Sequence, residues 1–349
     1  SINGGTGGNN ALNIVDGVTG AAVAYSLPSS VTLSNLQTVN LSTNGGVAIN
    51  TGSTNVAAPA VTTVSGLTTL NVTAAGTAAA TVGAADTTAV NLTTGTTGAT
   101  TVYGGSVDTV TAKSSTGVTV TGAGLTAVTV NGSTGNVTVD NQSATGTTAA
   151  GKTLTSVTLN GVTGATATLK GAALTNVTLK NIAQTDAITV TNGTANHALN
   201  LTTSAVGFTA AGAALTGANA VSVADAAATA VTLNAAGATD ILLNTGLATS
   251  LTLSGAGAVA VESTSSFGTL TKIDASANTG GVTLTDSWVA ATVTGGAGND
   301  VVTLGATGVT GTINLGAGNN TLLAGTGSLS NTAVVNGGTG GINTISARS

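Results

Sequence analysis

The chain repeats itself. Leu154-Thr155-Ser156-Val157-Thr158-Leu159-Asn160 returns as Leu174-Thr175-Asn176-Val177-Thr178-Leu179-Lys180. Looser copies centre on Leu70, Val90, Val128, Val231, Leu251 and Ile273, and the steps from Val231 to Leu251 and on to Ile273 are close to the same length. A period of about 20 residues that carries one short strand-like phrase is the mark of a solenoid, because each unit is too small to bury its own apolar face. Val, Thr, Ile and Leu fill the phrases, and Gly, Asn, Asp and Ser separate them, the composition of strands joined by tight turns. No amphipathic helix stands out. The Ala-rich runs 211–220 and 224–230 have room for a helical turn, but small residues equally suit tight corners.

Alternation assigns the faces. In Val-Thr-Leu the valine and leucine point inward and the threonine outward, so stacked coils set Thr232 beside Thr252. The expected fold is all-β, a parallel β-solenoid with coils of about 20 residues. The interval between Val128 and Val157 is longer than one period, and its excess reads as a surface loop or an extra strand.

Composition narrows the function. Charged residues are 5% of the chain, against ~25% in ordinary domains. With hydrophobic residues at 41% and a mean hydropathy of +0.44, the chain has enough apolar surface to fold. Six cations and a net charge of −5 argue against a phosphate-binding surface and so against nucleic acid. The absence of cysteine is compatible with an extracellular protein that does without disulfides. No apolar run reaches membrane-spanning length. The start at Ser1 without an initiator methionine reads as a fragment or a processed product. His197, the single histidine, reads as a solvated loop side chain, since no cluster accompanies it. Trp288, Phe208 and Phe267 read as packing residues. One arginine and five lysines, with few aromatics, make a poor kit for a polysaccharide-cleaving β-helix, so no enzyme is expected.

One segment looks like a reagent. Gly295-Gly296-Ala297-Gly298-Asn299-Asp300-Val301-Val302-Thr303 fits the calcium-binding nonapeptide G-G-x-G-x-D-x-U-x at every specified position. Relatives follow as Leu315-Gly316-Ala317-Gly318-Asn319-Asn320 and Gly337-Gly338-Thr339-Gly340-Gly341-Ile342-Asn343, each about one coil further on. These residues resemble the repeats-in-toxin (RTX) family, and the long Thr/Val/Ala-rich body is similar to RTX-bearing surface-layer proteins of Gram-negative bacteria. The resemblance implies a right-handed parallel β-helix or β-roll with calcium between successive coils. It makes Asp300 the side-chain ligand with Gly296 and Gly298 as carbonyl donors, and puts Asn320 in the equivalent place with Gly316 and Gly318.

The sequence departs from that pattern. Asn320 is neutral, and Ile342 stands where the third aspartate belongs, with Asn343 one position late. Calcium is therefore expected on one side only, with Asp274 or Asn278 as additional ligands. Asparagines can instead stack in a metal-free turn. Asp108, in Gly104-Gly105-Ser106-Val107-Asp108, is one residue short of the motif. Like Asp86, Asp140, Asp186, Asp225 and Asp240, it reads as a turn-bonding residue. Asp16 follows the first glycine-rich unit as a weaker candidate ligand.

Three segments follow: a glycine-rich opening coil (1–20), a Thr/Val/Ala-rich body (21–273) and RTX-like calcium-binding coils (274–349). Ile2-Asn3-Gly4-Gly5-Thr6-Gly7-Gly8 echoes Val335-Asn336-Gly337-Gly338-Thr339-Gly340-Gly341. The expected function is a self-assembling surface-layer segment at the cell exterior, ordered by calcium. Its partners are copies of itself in a two-dimensional lattice and, beyond them, cell-surface polysaccharide. An RTX-type adhesin or matrix stalk is the alternative. An ice-binding solenoid is a minor one, because it needs two outward threonine rows and the phrases supply one.

Overall fold

A computed structural model describes the chain apart from residues 18–19, 21, 56, 96, 114, 143–150, 165, 184–185, 209–220, 263–268, 287–291, 306–307 and 348–349. Trp288, Phe267 and the 211–220 run lie outside the described residues. The described residues are all-β, without an α-helix, and form two compact units, 1–174 and 175–349. This division falls at neither of the compositional boundaries, after residue 20 or after 273.

In the first unit, from Thr69 onward, each strand pairs in parallel with the strand two places further along the chain, and in the opening coils with the strand three places along. Ala89–Thr94 lies between Thr69–Ala74 and Val107–Thr111, whereas Thr100–Tyr103 lies between Ala80–Gly83 and Gly117–Thr121. Each circuit of the chain thus adds one strand to each of two ladders, as in solenoid winding. A short third ladder of Ile2–Asn3, Thr32–Ser34 and Thr63–Val64 flanks the first coils.

Register turns the alternation of the sequence into columns. Leu41, Val72, Leu92, Val110, Val130 and Leu159 stack inward in one ladder, and Ile49, Val82, Val102, Val120, Val139 and Leu169 in the other. All twelve are buried. Each such Leu or Val contributes about 1.5–3 kcal/mol by leaving water, and each coil can realise that only against its neighbours. Outward, Asn13, Asn40, Asn71 and Asn91 form an amide ladder with bonds of 2.7, 2.7 and 2.8 Å, and Thr109, Thr129 and Thr158 continue the column. Thr81, Thr101, Thr119, Thr138 and Thr168 form an outward column on the second ladder. Between Val128 and Val157 the described residues hold the regular second-ladder strand Asn136–Asp140 and no extra strand, and the 143–150 segment lies outside the described residues.

The second unit follows the same rule. Leu199, Val231, Leu251, Ile273, Val293 and Ile313 make one inward column, and Val221, Ile241, Val261, Leu284, Val302 and Leu322 another. Thr232 and Thr252 are paired outward, as the alternation requires. The Ala224–Ala230 run forms a tight corner between two strands rather than a helical turn. Coils from Val282 to Leu322 are short enough to bring the glycine-rich corners into register.

Candidate metal centre

Asp300 opens strand Val301–Leu304 and is 1% exposed. Its two oxygens are already engaged by amides: Oδ1 accepts the Val282 N–H at 2.7 Å and Oδ2 the Gly296 N–H at 2.6 Å. Its own N–H donates to Oδ1 of Asn320 at 2.9 Å, and the Asn320 N–H donates to Oδ1 of Asn343 at 3.2 Å. Asp300, Asn320 and Asn343 are one column, in which each side chain accepts the amide of the coil before it. A second column runs beside it, with the Asn319 N–H on Asn299 Oδ1 at 2.8 Å and the Ile342 N–H on Asn319 Oδ1 at 2.7 Å. Burial pushes the Asp300 carboxyl above the usual carboxylate range, and the Gly296 and Val282 amides oppose that rise.

Hydrogen-bond counting explains why one coil has aspartate and the next asparagine. In the Asn320 coil the Gly316 N–H bonds Asn314 Oδ1 at 3.2 Å, two positions back. The same Asx turn takes the Gly338 N–H on Asn336 at 3.0 Å and the Gly5 N–H on Asn3 at 2.9 Å, so the two glycine-rich segments that echo each other in sequence share a local structure. In the Asp300 coil that place belongs to Thr294, which pairs with Asn314. The Gly296 amide therefore turns to Asp300, which must supply two acceptors, whereas Asn320 needs one. The Nδ2 of Asn320 is left buried without a partner.

The glycines have a steric cause. A Cβ on Gly316 would collide with the Gly296 carbonyl, and one on Gly318 with the Gly298 carbonyl. Both residues are left-handed, with φ of 78° and 96°, a region that favours glycine. Gly341 (φ 72°) is the additional residue that brings Asn343, and not Ile342, into the aspartate column.

The fit to calcium can be judged from these donors. The Gly296 carbonyl accepts the Ala317 N–H at 2.9 Å and the Gly316 carbonyl the Thr339 N–H at 3.0 Å. Calcium takes six to eight oxygens, and each of these oxygens, having accepted one amide, keeps a second lone pair. The expected additions are elsewhere or occupied. Asp274 lies in an outward column between Thr252 and Thr294 and bonds Ser276 and Lys272. Asn278 is buried, with Oδ1 on the Gly280 and Gly281 amides and Nδ2 on the Gly257 carbonyl. No group of three or more His, Cys, Asp or Glu stands together among the described residues. As arranged, Asp300 and Asn320 cap backbone amides, and the Gly296 and Gly316 carbonyls each accept one backbone amide.

Other acidic residues add to or depart from the turn-bonding expectation. Asp225 is 1% exposed and bonds its turn as expected, Oδ1 accepting the Ala227 N–H at 3.2 Å, but its Oδ2 also meets Nε2 of His197 at 2.8 Å, while the His197 Nδ1 donates to the Thr194 carbonyl at 2.9 Å. His197 is thus a buried strand residue and not a solvated loop side chain; it sits two places before inward Leu199, where alternation points inward. Asp140 pairs with Lys170 at 3.4 Å, and Asp16 accepts the Thr43 hydroxyl at 2.8 Å. Burial raises Asp186 and Asp240 to about 6, with the Glu262 charge adding to the rise at Asp240. Asp108 is the largest departure. It occupies the inward column Val39, Leu70, Val90, Asp108, Val128, Val157, 1% exposed, with neither oxygen hydrogen-bonded. Neither a scan against protein-family models nor a search of curated proteins returned a match to this chain.

Proposed function

We propose that this chain is a non-catalytic structural segment of a self-associating extracellular surface layer, wound as a right-handed parallel β-solenoid. What supports the reading is the character of the outward columns. In the first unit one ladder presents Asn40, Asn71, Asn91, Thr109, Thr129 and Thr158, and the other Thr81 to Thr168, at strand spacing and without charge. Uncharged, periodic, small polar faces pack against copies of themselves without repulsion, and each contact made once is repeated every coil. The second ladder favours this over ice binding. Its threonine column is flanked at the next outward position by Tyr103, Thr121, Asp140 and Lys170 rather than by a second threonine row.

Calcium ordering of the corners, which the family resemblance implies, is a separable part of the reading, since the amide columns order those corners without an ion. The chain is dialysed with calcium or with excess chelator and imaged by negative-stain electron microscopy. Ordered two-dimensional sheets in either condition support the layer, and their loss on chelation assigns calcium a role. Isolated particles in every condition refute self-assembly and leave the adhesin or stalk.

A further inference from the structure

The coils at residues 2–16 and 335–347 echo each other in sequence, and the backbone follows the echo. Strands Ile2–Asn3 and Ala11–Asp16 stand where Val334–Asn336 and Thr344–Ala347 stand in the later coil. Gly5, Gly7 and Gly8 have φ of 84°, 96° and 84°, and Gly338, Gly340 and Gly341 have 86°, 83° and 72°. One difference separates the two coils. A Cβ on Gly338 or Gly341 would collide with the Gly316 or Gly318 carbonyl of the coil before, whereas one on Gly5 or Gly8 meets nothing within 4 Å. The 2–16 coil thus has the backbone shape of a coil that stacks on a glycine-rich predecessor.

Hydrogen bonds and apolar residues match as well. In the column from Val282 through Asp300 and Asn320 each N–H finds an acceptor on the following coil, and the Asn343 N–H has none among the described residues. Asn10 holds the same place in the 2–16 coil. It donates its N–H to Gln37 Oε1 at 2.8 Å and its Nδ2 to the Asn35 carbonyl at 3.0 Å, and its Oδ1 accepts no hydrogen bond from the described residues. The Thr344 N–H turns back to the Asn320 carbonyl at 2.8 Å, and the Asn10 carbonyl takes the Gln37 and Thr38 N–H groups. Alternation along a parallel strand therefore turns Ile345 and Ala347 to one open edge, and Ala11 and Asn13 to the other. Ile345 follows Leu322 in its inward column and is 51% exposed, while Leu12 precedes Val39 and is half-buried. Val335 and Ile2 stand likewise on Ile313 and Leu33. No charged residue lies at 2–15 or 334–347, so the two faces do not repel.

We propose that the 335–347 coil of one copy docks head-to-tail on the 2–16 coil of a second copy and takes it as its next turn. In the register of the echo, Thr344, Ile345 and Ser346 pair with Ala11, Leu12 and Asn13. The Asn343 N–H donates to Asn10 Oδ1, and the Gly338 and Gly341 carbonyls fill the space beside Gly5 and Gly8. Ile345 covers Leu12, and Val335 covers Ile2. The second amide column does not continue. Ile342 stands where Asn299 and Asn319 serve earlier coils and offers the Asn9 N–H no acceptor, so the joint is weaker than one within the chain. The contact is heterologous and can repeat without closing. It uses none of the outward Asn and Thr columns, and rests on the self-association reading only in taking a second copy as partner.

Proline tests each face separately, because on an open edge it removes only an N–H that points to solvent in the free chain. Ile345→Pro, Ala11→Pro and wild type are compared by sedimentation and negative-stain electron microscopy. Wild type forms linear multimers that lengthen with concentration, and each proline variant alone loses them. Mixed in equal amounts, the two variants form dimers and stop there, since each keeps one intact face. Ile342→Asn, which gives the Asn9 N–H its acceptor, tightens association about fivefold. The proposal is overturned if either proline variant multimerises as wild type does, if the mixture stays monomeric, if Ile342→Asn changes nothing, or if wild type is monomeric throughout. Sheets that form equally from wild type and both proline variants keep the lateral faces and overturn end stacking; linear multimers without sheets do the reverse.

Discussion

Replacing Asp300 tests whether the glycine-rich corner is an amide cap. The carboxylate accepts two short bonds, 2.7 Å from Val282 and 2.6 Å from Gly296, in a site 1% exposed. Hydrogen bonds to a charged group contribute about 1.5–3 kcal/mol each, so Asp300→Ala removes about 3–6 kcal/mol of bonding. Against this, the raised carboxyl shows that burial still outweighs the amides, and the variant relieves that penalty. The net loss is about 2–4 kcal/mol, or roughly 30- to 900-fold in local opening at about 1.36 kcal/mol per decade. Asp300→Asn should lose about half as much, because Oδ1 still accepts from Val282 while its NH₂ meets the Gly296 N–H donor to donor.

The neighbouring coil supplies the repair. Thr294 pairs with Asn314, and Asn314 takes the Gly316 amide, so Thr294→Asn should accept the Gly296 amide and rescue Asp300→Asn by about 1 kcal/mol. Hydrogen exchange of the Val282 and Gly296 amides under chelation is the assay, because opening in a repeat array is local and a single unfolding midpoint averages over coils. Unchanged protection of both amides in Asp300→Asn would refute the reasoning. So would a double variant no better protected than the single one.

Stability should also respond to pH in a defined direction. Asp186 and Asp240 titrate near 6 in the fold against 3.8 for the ordinary group. The folded chain therefore holds their protons more tightly than the unfolded one, and their contribution is greatest below about pH 4 and lost as pH rises through 6, by at most roughly 3 kcal/mol each. Asp186→Asn and Asp240→Asn should raise the denaturation midpoint at pH 7.5 and leave it little changed at pH 4, and the reverse order would contradict their burial as acids. In the outward amide ladder, Asn71 donates to Asn40 and accepts from Asn91. Asn71→Ala should cost about 1 kcal/mol and Asn71→Thr less, since threonines continue the same column. Equal losses on denaturant unfolding would show that the amide bonds contribute nothing there.

Much of this was legible in the residues. The repeat period and the Val-Thr-Leu alternation specify parallel ladders and their inward columns, because both follow from strand geometry. The glycine-rich corners are also visible, but what they hold is not. A motif reports residue types, whereas the Asp300 oxygens are decided by whether position 294 can take an amide. The addition of Gly341 moves Asn343 into a column that spacing assigns to Ile342. Asp108 and His197 carry a signal that a turn-based reading misses. Counting back by twos from inward Val110 and Leu199 reaches both, and their polarity hides the count.

The Asp300 column has a direction. Val282 gives its amide to Asp300, Asp300 gives its own to Asn320, and Asn320 to Asn343. In this column each coil takes its acceptor from the coil after it, whereas in the adjacent column the Asn319 and Ile342 amides donate back to Asn299 and Asn319 of the coil before. The two columns run in opposite senses, so removing a coil from either side bares an N–H group as well as an oxygen, and nested truncations should be penalised from both ends of the run.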